Sequence, residues 1–277
     1  MPELAASSAP TVPGTPRDPL ERLVTLGDHA TTVLERPASG RAVGPPLVLV
    51  HALGLDRRMW RDTVAAIPVD RRVIAYDLRG HGTAGAAPHV RSLEQLARDL
   101  DTLLDRLGVD GAHVAGLSLG GAIAQVYALS RPARVSELTL VATVAVPQPA
   151  FLERGAAAQA GGMASVLAPT MTRWFTPEAL AVNGWAVRYA RRQVLGADPD
   201  AWAASWRALA RVDTLGRLAR LRMPTRLVTG ALDVSTPPRV MAEIAARVPG
   251  GRLTVIDGGP HMLSLERPGE LAEAVLA

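Results

Sequence analysis

Cysteine and lysine are both absent from this chain of 277 residues, and each absence excludes a class of chemistry. Without cysteine there is no disulfide, no thiolate nucleophile and no cysteine metal site. Without lysine there is no Schiff-base residue and no P-loop lysine, because all 30 basic residues are arginines. Long apolar runs are missing too. The longest candidate, residues 46–52, has the length of a strand and falls short of the ~20 residues of a membrane span.

The N-terminal residues 1–20 are rich in proline, alanine, serine and threonine, and they contain no apolar segment typical of a secretory signal. This composition predicts a flexible leader and a cytoplasmic protein. The formal net charge is only +4, and the arginines are scattered. The sequence therefore predicts neither a nucleic-acid partner nor a membrane partner, and it leaves the oligomeric state open.

The segment Gly116-Leu117-Ser118-Leu119-Gly120 is a G-x-S-x-G motif. A strand-like run precedes it and a small-residue helical pattern follows it, so the serine lies on a strand–turn–helix junction. Glycine at both ends permits a tight turn that leaves the hydroxyl exposed. This context predicts that Ser118 is a nucleophile, and the alternative is a purely structural turn.

Apolar runs typical of buried parallel strands alternate with helical patterns along most of the chain. The strand-like runs are 47–50, 73–76, 112–115, 138–141, 225–229 and 252–256, with a hairpin predicted over 22–36. Helical patterns alone fill residues 146–213. The alternation predicts an α/β fold, a mostly parallel sheet with helices on both faces. Its core comprises 21–145 and 214–277, and 146–213 form an inserted helical cap.

A serine nucleophile needs a histidine base, and the chain has six histidines. Only His51, His81 and His261 follow predicted strands, at the sheet edge where ligands of open α/β sheets bind. The chain order serine, acid, histidine favours His261. We interpret His51 and His81 as residues that hold their loops in place.

The acid that orients the base is predicted to be Asp233, which follows strand 225–229 and precedes His261. Asp257 is an alternative, but it lies only four residues before His261 at the end of the same strand. Asp213 is a weaker alternative. Backbone N–H groups must also stabilise the oxyanion, and Leu119 and Leu53 are the predicted donors, with the Ala52 amide as a close alternative to Leu53.

With these residues in place, the chain resembles the α/β-hydrolase superfamily from about residue 22 to its end. The resemblance rests on five blocks: 51–54, 76–82, 116–121, 230–233 and 259–261. Within the superfamily the chain looks most like 3-oxoadipate enol-lactonases, because of residues 51–60, Trp174-Phe175-Thr176 and Thr236-Pro237-Pro238. One departure concerns the pocket roof, where His51-Ala52 replaces the usual His-Gly or His-Ser.

The predicted cap contains four of the five tryptophans and both phenylalanines. An aromatic lid over Ser118 predicts a largely apolar pocket, with Trp174 and Trp60 as substrate contacts and Ala52 beside them. The alternative is that these rings only pack the cap against the core. A cap arginine could pair with a substrate carboxylate, as an enol-lactone acid would require, but most of these arginines are expected on the solvent side and the sequence selects none of them. The candidates are Arg154, Arg173, Arg188, Arg191 and Arg192.

These observations predict a serine hydrolase that cleaves a small carboxylic ester or lactone through an acyl-enzyme, with a small-molecule substrate and no metal or cofactor. The alternative reactions on the same scaffold are C–C bond hydrolysis, acyl transfer and biosynthetic cyclisation. A third possibility is a ligand-binding protein without catalysis, since a fold does not determine a function.

Overall fold

The computed structural model describes residues 19–277, so nearly all of the predicted leader lies outside the described residues. Within them, eight strands form one sheet in the order β1-β2-β4-β3-β5-β6-β7-β8. The strands are β1 (Leu20–Thr25), β2 (Ala30–Arg36), β3 (Leu47–Val50), β4 (Val73–Tyr76), β5 (Ala112–Leu117), β6 (Val135–Val141), β7 (Thr225–Gly230) and β8 (Arg252–Ile256).

Strands β3 to β8 correspond to the six strand-like runs of the sequence. The expectation of a buried strand is wrong for β8, because β8 lies at the sheet edge and only its Ile256 is buried. The β1–β2 and β2–β4 pairs are antiparallel, and every other pair in the sheet is parallel. All residues of β3, β4 and β5 are buried, because helices cover both faces of the central sheet. The predicted hairpin and the predicted mostly parallel sheet are confirmed.

Three of the helices in residues 19–277 begin at a capping side chain. They are α1 (Arg61–Ala66), α2 (Leu93–Arg106), α3 (Leu119–Ser130), α4 (Ala150–Trp174), α5 (Pro177–Val182), α6 (Trp185–Gly196), α7 (Pro199–Ala210), α8 (Pro238–Ala245), α9 (Leu263–Glu266) and α10 (Pro268–Leu276). The side chains of Ser92, Thr176 and Asp198 each accept a hydrogen bond from the backbone N–H three residues later. Among the described residues, none of the helices has the length and apolar character to cross a membrane.

Helices α4 to α7, here called the insert helices, connect β6 to β7. Helix α4 is interrupted at Gly162, whose φ is 72°. Several hydrogen bonds attach the insert helices to the sheet loops. Among them, the Trp174 carbonyl accepts from the Met262 N–H at 3.1 Å, and the Tyr189 hydroxyl donates to Asp56 Oδ1 at 2.7 Å. These contacts bring the insert to the carboxyl edge of the sheet, where Ser118 lies.

Candidate active site

Ser118 lies between the end of β5 and the start of α3, in a strained backbone conformation with φ 57° and ψ −112°. Its N–H donates to the Val141 carbonyl at 2.9 Å, and its own carbonyl accepts from the Thr143 hydroxyl at 2.7 Å. These bonds on both sides of the residue hold its unusual backbone geometry in place.

The two flanking glycines are required because backbone segments meet at this turn. A Cβ atom on Gly116 would lie 2.1 Å from the Gly120 carbonyl oxygen, and one on Gly120 would lie 2.1 Å from the Val50 carbonyl oxygen. No side chain fits at either position. The motif therefore marks the close approach of β5, α3 and β3 as well as a tight turn.

His261 and Asp233 are directly paired. His261 Nδ1 lies 2.8 Å from Asp233 Oδ2, and both side chains are buried. Asp233 Oδ2 also accepts from the Thr236 hydroxyl at 2.7 Å, while Oδ1 accepts from the N–H groups of Ser235 and Thr236. Burial alone would raise the pKa of Asp233, but the attraction of His261 and these hydrogen bonds outweigh it and lower the pKa below its ordinary value.

The alternative acids lie elsewhere. Asp257 is exposed and accepts only from the adjacent Gly258 N–H, at 3.0 Å, and Asp213 is exposed as well. Within residues 19–277, Asp233 is the carboxylate bonded to His261. The geometry favours Asp233 as the orienting acid of a Ser118-His261-Asp233 constellation.

His51 and His81 are bonded to backbone and do not reach the Ser118 pocket. His51 Nε2 accepts from the Leu78 N–H at 2.8 Å, and His81 Nδ1 bonds the Arg79 carbonyl at 3.0 Å. Burial lowers the pKa of His51 to about 4 and that of His81 to about 3, so both stay neutral near pH 7. The prediction that they hold their loops is confirmed.

The two predicted oxyanion donors have free N–H groups. Within residues 19–277, the amides of Leu53 and Leu119 have no hydrogen-bond acceptor, and Leu53 lines the same pocket as Ser118. The Ala52 amide, in contrast, is directed at Met59 Sδ at 3.3 Å. This contact favours Leu53 over Ala52 as the second donor.

One pocket brings together Ser118, His261, Leu53 and Trp174. Its free volume is about 20 Å³, which is room for about one water molecule. No direct hydrogen bond joins Ser118 to His261 in the described residues, and such bonds are often long before substrate binds. Because the pocket has room for only about one water molecule, a substrate must displace side chains of the pocket wall as it enters.

Two of the predicted substrate contacts are not in the pocket wall. Trp60 is fully buried, because Asp56 caps a short 3₁₀ turn, Arg57–Trp60, that directs the indole into the core. Ala52 is also fully buried and is absent from the lining of the Ser118 pocket. The positions of Trp60 and Ala52 give no support to their prediction as contacts, whereas Trp174 lines the pocket.

Arg154 of α4 reaches the pocket without a partner. Its guanidinium carbon lies 4.7 Å from the ring centre of Phe151 and 5.0 Å from that of Trp206, which also line the pocket. It makes no salt bridge and no hydrogen bond within residues 19–277. Burial, and then repulsion from Arg173, lower its pKa to about 10, so it remains a cation that lacks a counter-ion.

The alpha/beta hydrolase fold family model matches residues 45–268. The chain belongs to this family. A 3-oxoadipate enol-lactonase of Acinetobacter baylyi is 29% identical over 83% of this chain and 86% of its own length. A putative carbamate hydrolase, RutD, of Azorhizobium caulinodans is 30% identical over 84% and 90%. The crystal structure of the enol-lactonase from Burkholderia xenovorans LB400 matches with a TM-score of 0.86 and 25% identity, over 92% of this chain and 98% of that one.

These similarities identify an enzyme of the hydrolase class and confirm the resemblance to enol-lactonases. Two residues of this hydrolase's site are not apparent from its sequence. Thr236 belongs to the Thr-Pro-Pro block that follows the acid, but nothing in that block indicates that its hydroxyl binds Asp233. Arg154 is one of five candidate arginines, and only the packing of α4 distinguishes it from the others.

Proposed function

We propose that this hydrolase cleaves a small carboxylic ester or lactone through an acyl-enzyme formed on Ser118. The observation that carries the proposal is the pocket where Ser118, the Asp233-bonded His261 and the free Leu53 amide meet. Nucleophile, oriented base and oxyanion donor are the groups that acyl transfer needs.

In the proposed reaction, His261 Nε2 accepts the proton of the Ser118 hydroxyl as its oxygen attacks the carbonyl carbon. The amides of Leu53 and Leu119 donate to the oxyanion of the tetrahedral intermediate. Asp233 stabilises the imidazolium, which then protonates the departing alcohol. Water activated by His261 attacks the acyl-enzyme and releases the acid.

The wall of the pocket supports a substrate that carries a negative charge. Arg154 is a half-buried cation without a partner, and the rings of Phe151 and Trp206 flank it. A carboxylate bonded to a guanidinium gains two charge-assisted hydrogen bonds, which restores the interactions that burial removed. We therefore propose an acyl or lactone substrate with a carboxylate at Arg154 and an apolar body against Trp174.

Serine-directed labelling tests the proposal. The wild type should hydrolyse p-nitrophenyl acetate and react with a p-nitrophenyl phosphonate at Ser118, and Ser118→Ala should lose both properties. Labelling without ester turnover would favour C–C bond hydrolysis, acyl transfer or cyclisation on the same residues. Turnover retained in Ser118→Ala, without labelling of the wild type, would refute Ser118 as the nucleophile. Absence of both labelling and turnover in the wild type would favour a ligand-binding role.

A further inference from the structure

We propose that His51 is a positioning residue that directs the Leu53 N–H toward the oxyanion. This inference rests on the proposed function and adds a residue that does not touch the substrate. It follows from the hydrogen bonds of the His51 ring and from the planarity of one peptide group.

The imidazole of His51 links two loops at the carboxyl edge of the sheet. Its Nε2 accepts from the Leu78 N–H at 2.8 Å, so the ring proton is on Nδ1. Nδ1 then donates to the Ala52 carbonyl at 2.8 Å. The side chain is fully buried, which stabilises this neutral form. The ring therefore acts as a spacer between the loop after β4 and the loop after β3.

The Ala52 carbonyl belongs to the same peptide group as the Leu53 N–H. This peptide is trans, so the carbonyl and the N–H point in opposite directions. His51 Nδ1, together with the Leu55 N–H at 3.3 Å, holds the carbonyl on the core side. The Leu53 N–H is thereby directed to the opposite side, and Leu53 lines the Ser118 pocket.

Apart from the Leu55 N–H, the other anchors of this loop hold its flanks and not this peptide. The Ala52 N–H is directed at Met59 Sδ, which orients the preceding peptide group. The Tyr189 hydroxyl bonds Asp56, three residues further on. Because the Leu53 N–H has no acceptor within residues 19–277, rotation of the 52–53 peptide would not break a bond of that group. The His51 ring is the side chain that opposes the rotation.

Two substitutions separate the two halves of the ring. His51→Asn keeps an N–H donor where Nδ1 lies, next to the Ala52 carbonyl, but it does not reach Leu78. His51→Gln places its amide where Nε2 lies and loses the donor to Ala52. With p-nitrophenyl acetate we expect His51→Gln to lower kcat about 100-fold, as for removal of an oxyanion donor, with KM within about threefold. His51→Asn should retain kcat within about tenfold of the wild type.

His113→Gln is the matched control. His113 is also fully buried, and its ring is bonded on both sides, to Thr139 and Arg71, but it lies at the opposite end of the sheet strands. The His113→Gln variant should lower the thermal unfolding temperature, as the His51 variants do, while its kcat stays within about twofold of the wild-type value. Equal loss of kcat in His51→Gln, His51→Asn and His113→Gln would overturn the proposal, because it would reveal general destabilisation.

Crystal structures of the two His51 variants test the orientation itself, independently of turnover. The 52–53 peptide should be rotated in His51→Gln and unchanged in His51→Asn. An unrotated peptide in His51→Gln, or unchanged kcat in that variant, would overturn the positioning role. Failure of the acyl-enzyme proposal would be recognised separately, by turnover that persists in Ser118→Ala.

Discussion

Replacement of Asp233 by asparagine keeps the shape of the side chain and removes one of its two acceptor oxygens. Oδ1 accepts from the N–H groups of Ser235 and Thr236, at 2.7 and 2.9 Å. An amide NH₂ in that position would face two donors, so the asparagine oxygen must take the place of Oδ1. The NH₂ group then replaces Oδ2 and faces His261 Nδ1.

This exchange selects the wrong tautomer of His261. A ring that accepts at Nδ1 carries its proton on Nε2, where it cannot take the proton of Ser118. The negative charge that stabilises the imidazolium is lost as well. We expect kcat to fall about 10⁴-fold, the loss that the same change causes in a serine protease triad, which corresponds to about 5 kcal/mol in the barrier.

The assay is p-nitrophenyl acetate hydrolysis, with thermal unfolding measured in parallel. Asp257→Asn and Asp213→Asn are the matched controls, because both carboxylates are exposed and lie away from His261. Their kcat should stay within about twofold of the wild type. A folded Asp233→Asn variant that retains more than a tenth of wild-type kcat would refute the role of Asp233 as the orienting acid.

Three further predictions follow from the structure. Arg154→Gln should raise KM for a carboxylate-bearing ester about 10- to 100-fold, the value of a charged hydrogen bond, and leave KM for a neutral ester unchanged. The exposed Arg188→Gln is the control, and an equal rise of KM for both esters in Arg154→Gln would contradict a carboxylate site at Arg154. Acidification from pH 7 to pH 5 should lower the free energy of unfolding by about 2 kcal/mol for each of His51 and His113. Their pKa values are about 4 and about 3 in the folded protein and about 6.5 in the unfolded chain, so in this pH range the unfolded state binds the extra proton. Urea unfolding at pH 7 and at pH 5 measures this loss of stability, which should be smaller in His113→Gln than in the wild type. An equal free energy of unfolding at the two pH values would contradict the prediction. Gly120→Ala should destabilise the fold by about 3 kcal/mol, because its Cβ would meet the Val50 carbonyl, whereas Gly216→Ala, with open space around it, should be tolerated. Equal melting temperatures of these two variants would refute the close approach.

The sheet and the triad candidates could be predicted because local patterns determine them. Continuous apolar runs such as 47–50 indicate strands buried on both faces, and a nucleophile turn needs glycines at fixed spacing. Chain order and a place after a strand together identify His261 as the predicted base. The structure pairs it with Asp233, as the sequence predicts.

The pocket wall could not be predicted in the same way, because it depends on how the insert helices dock. Trp60 is close in sequence to the oxyanion loop, but the 3₁₀ turn capped by Asp56 rotates it into the core. Arg154 and Arg188 are equally polar in sequence, yet only Arg154 faces the pocket. Likewise, nothing in the sequence shows that the His51 ring spans from Leu78 to Ala52, since that contact joins two loops 27 residues apart.

The central claim, a covalent acyl-enzyme on Ser118, is tested most directly by mass spectrometry of the protein quenched in acid during turnover of p-nitrophenyl acetate. We predict one acetyl group on the peptide that contains Ser118 and none in Ser118→Ala. Rapid turnover by the wild type without acetyl on Ser118, together with an unchanged rate in Ser118→Ala, would contradict the account.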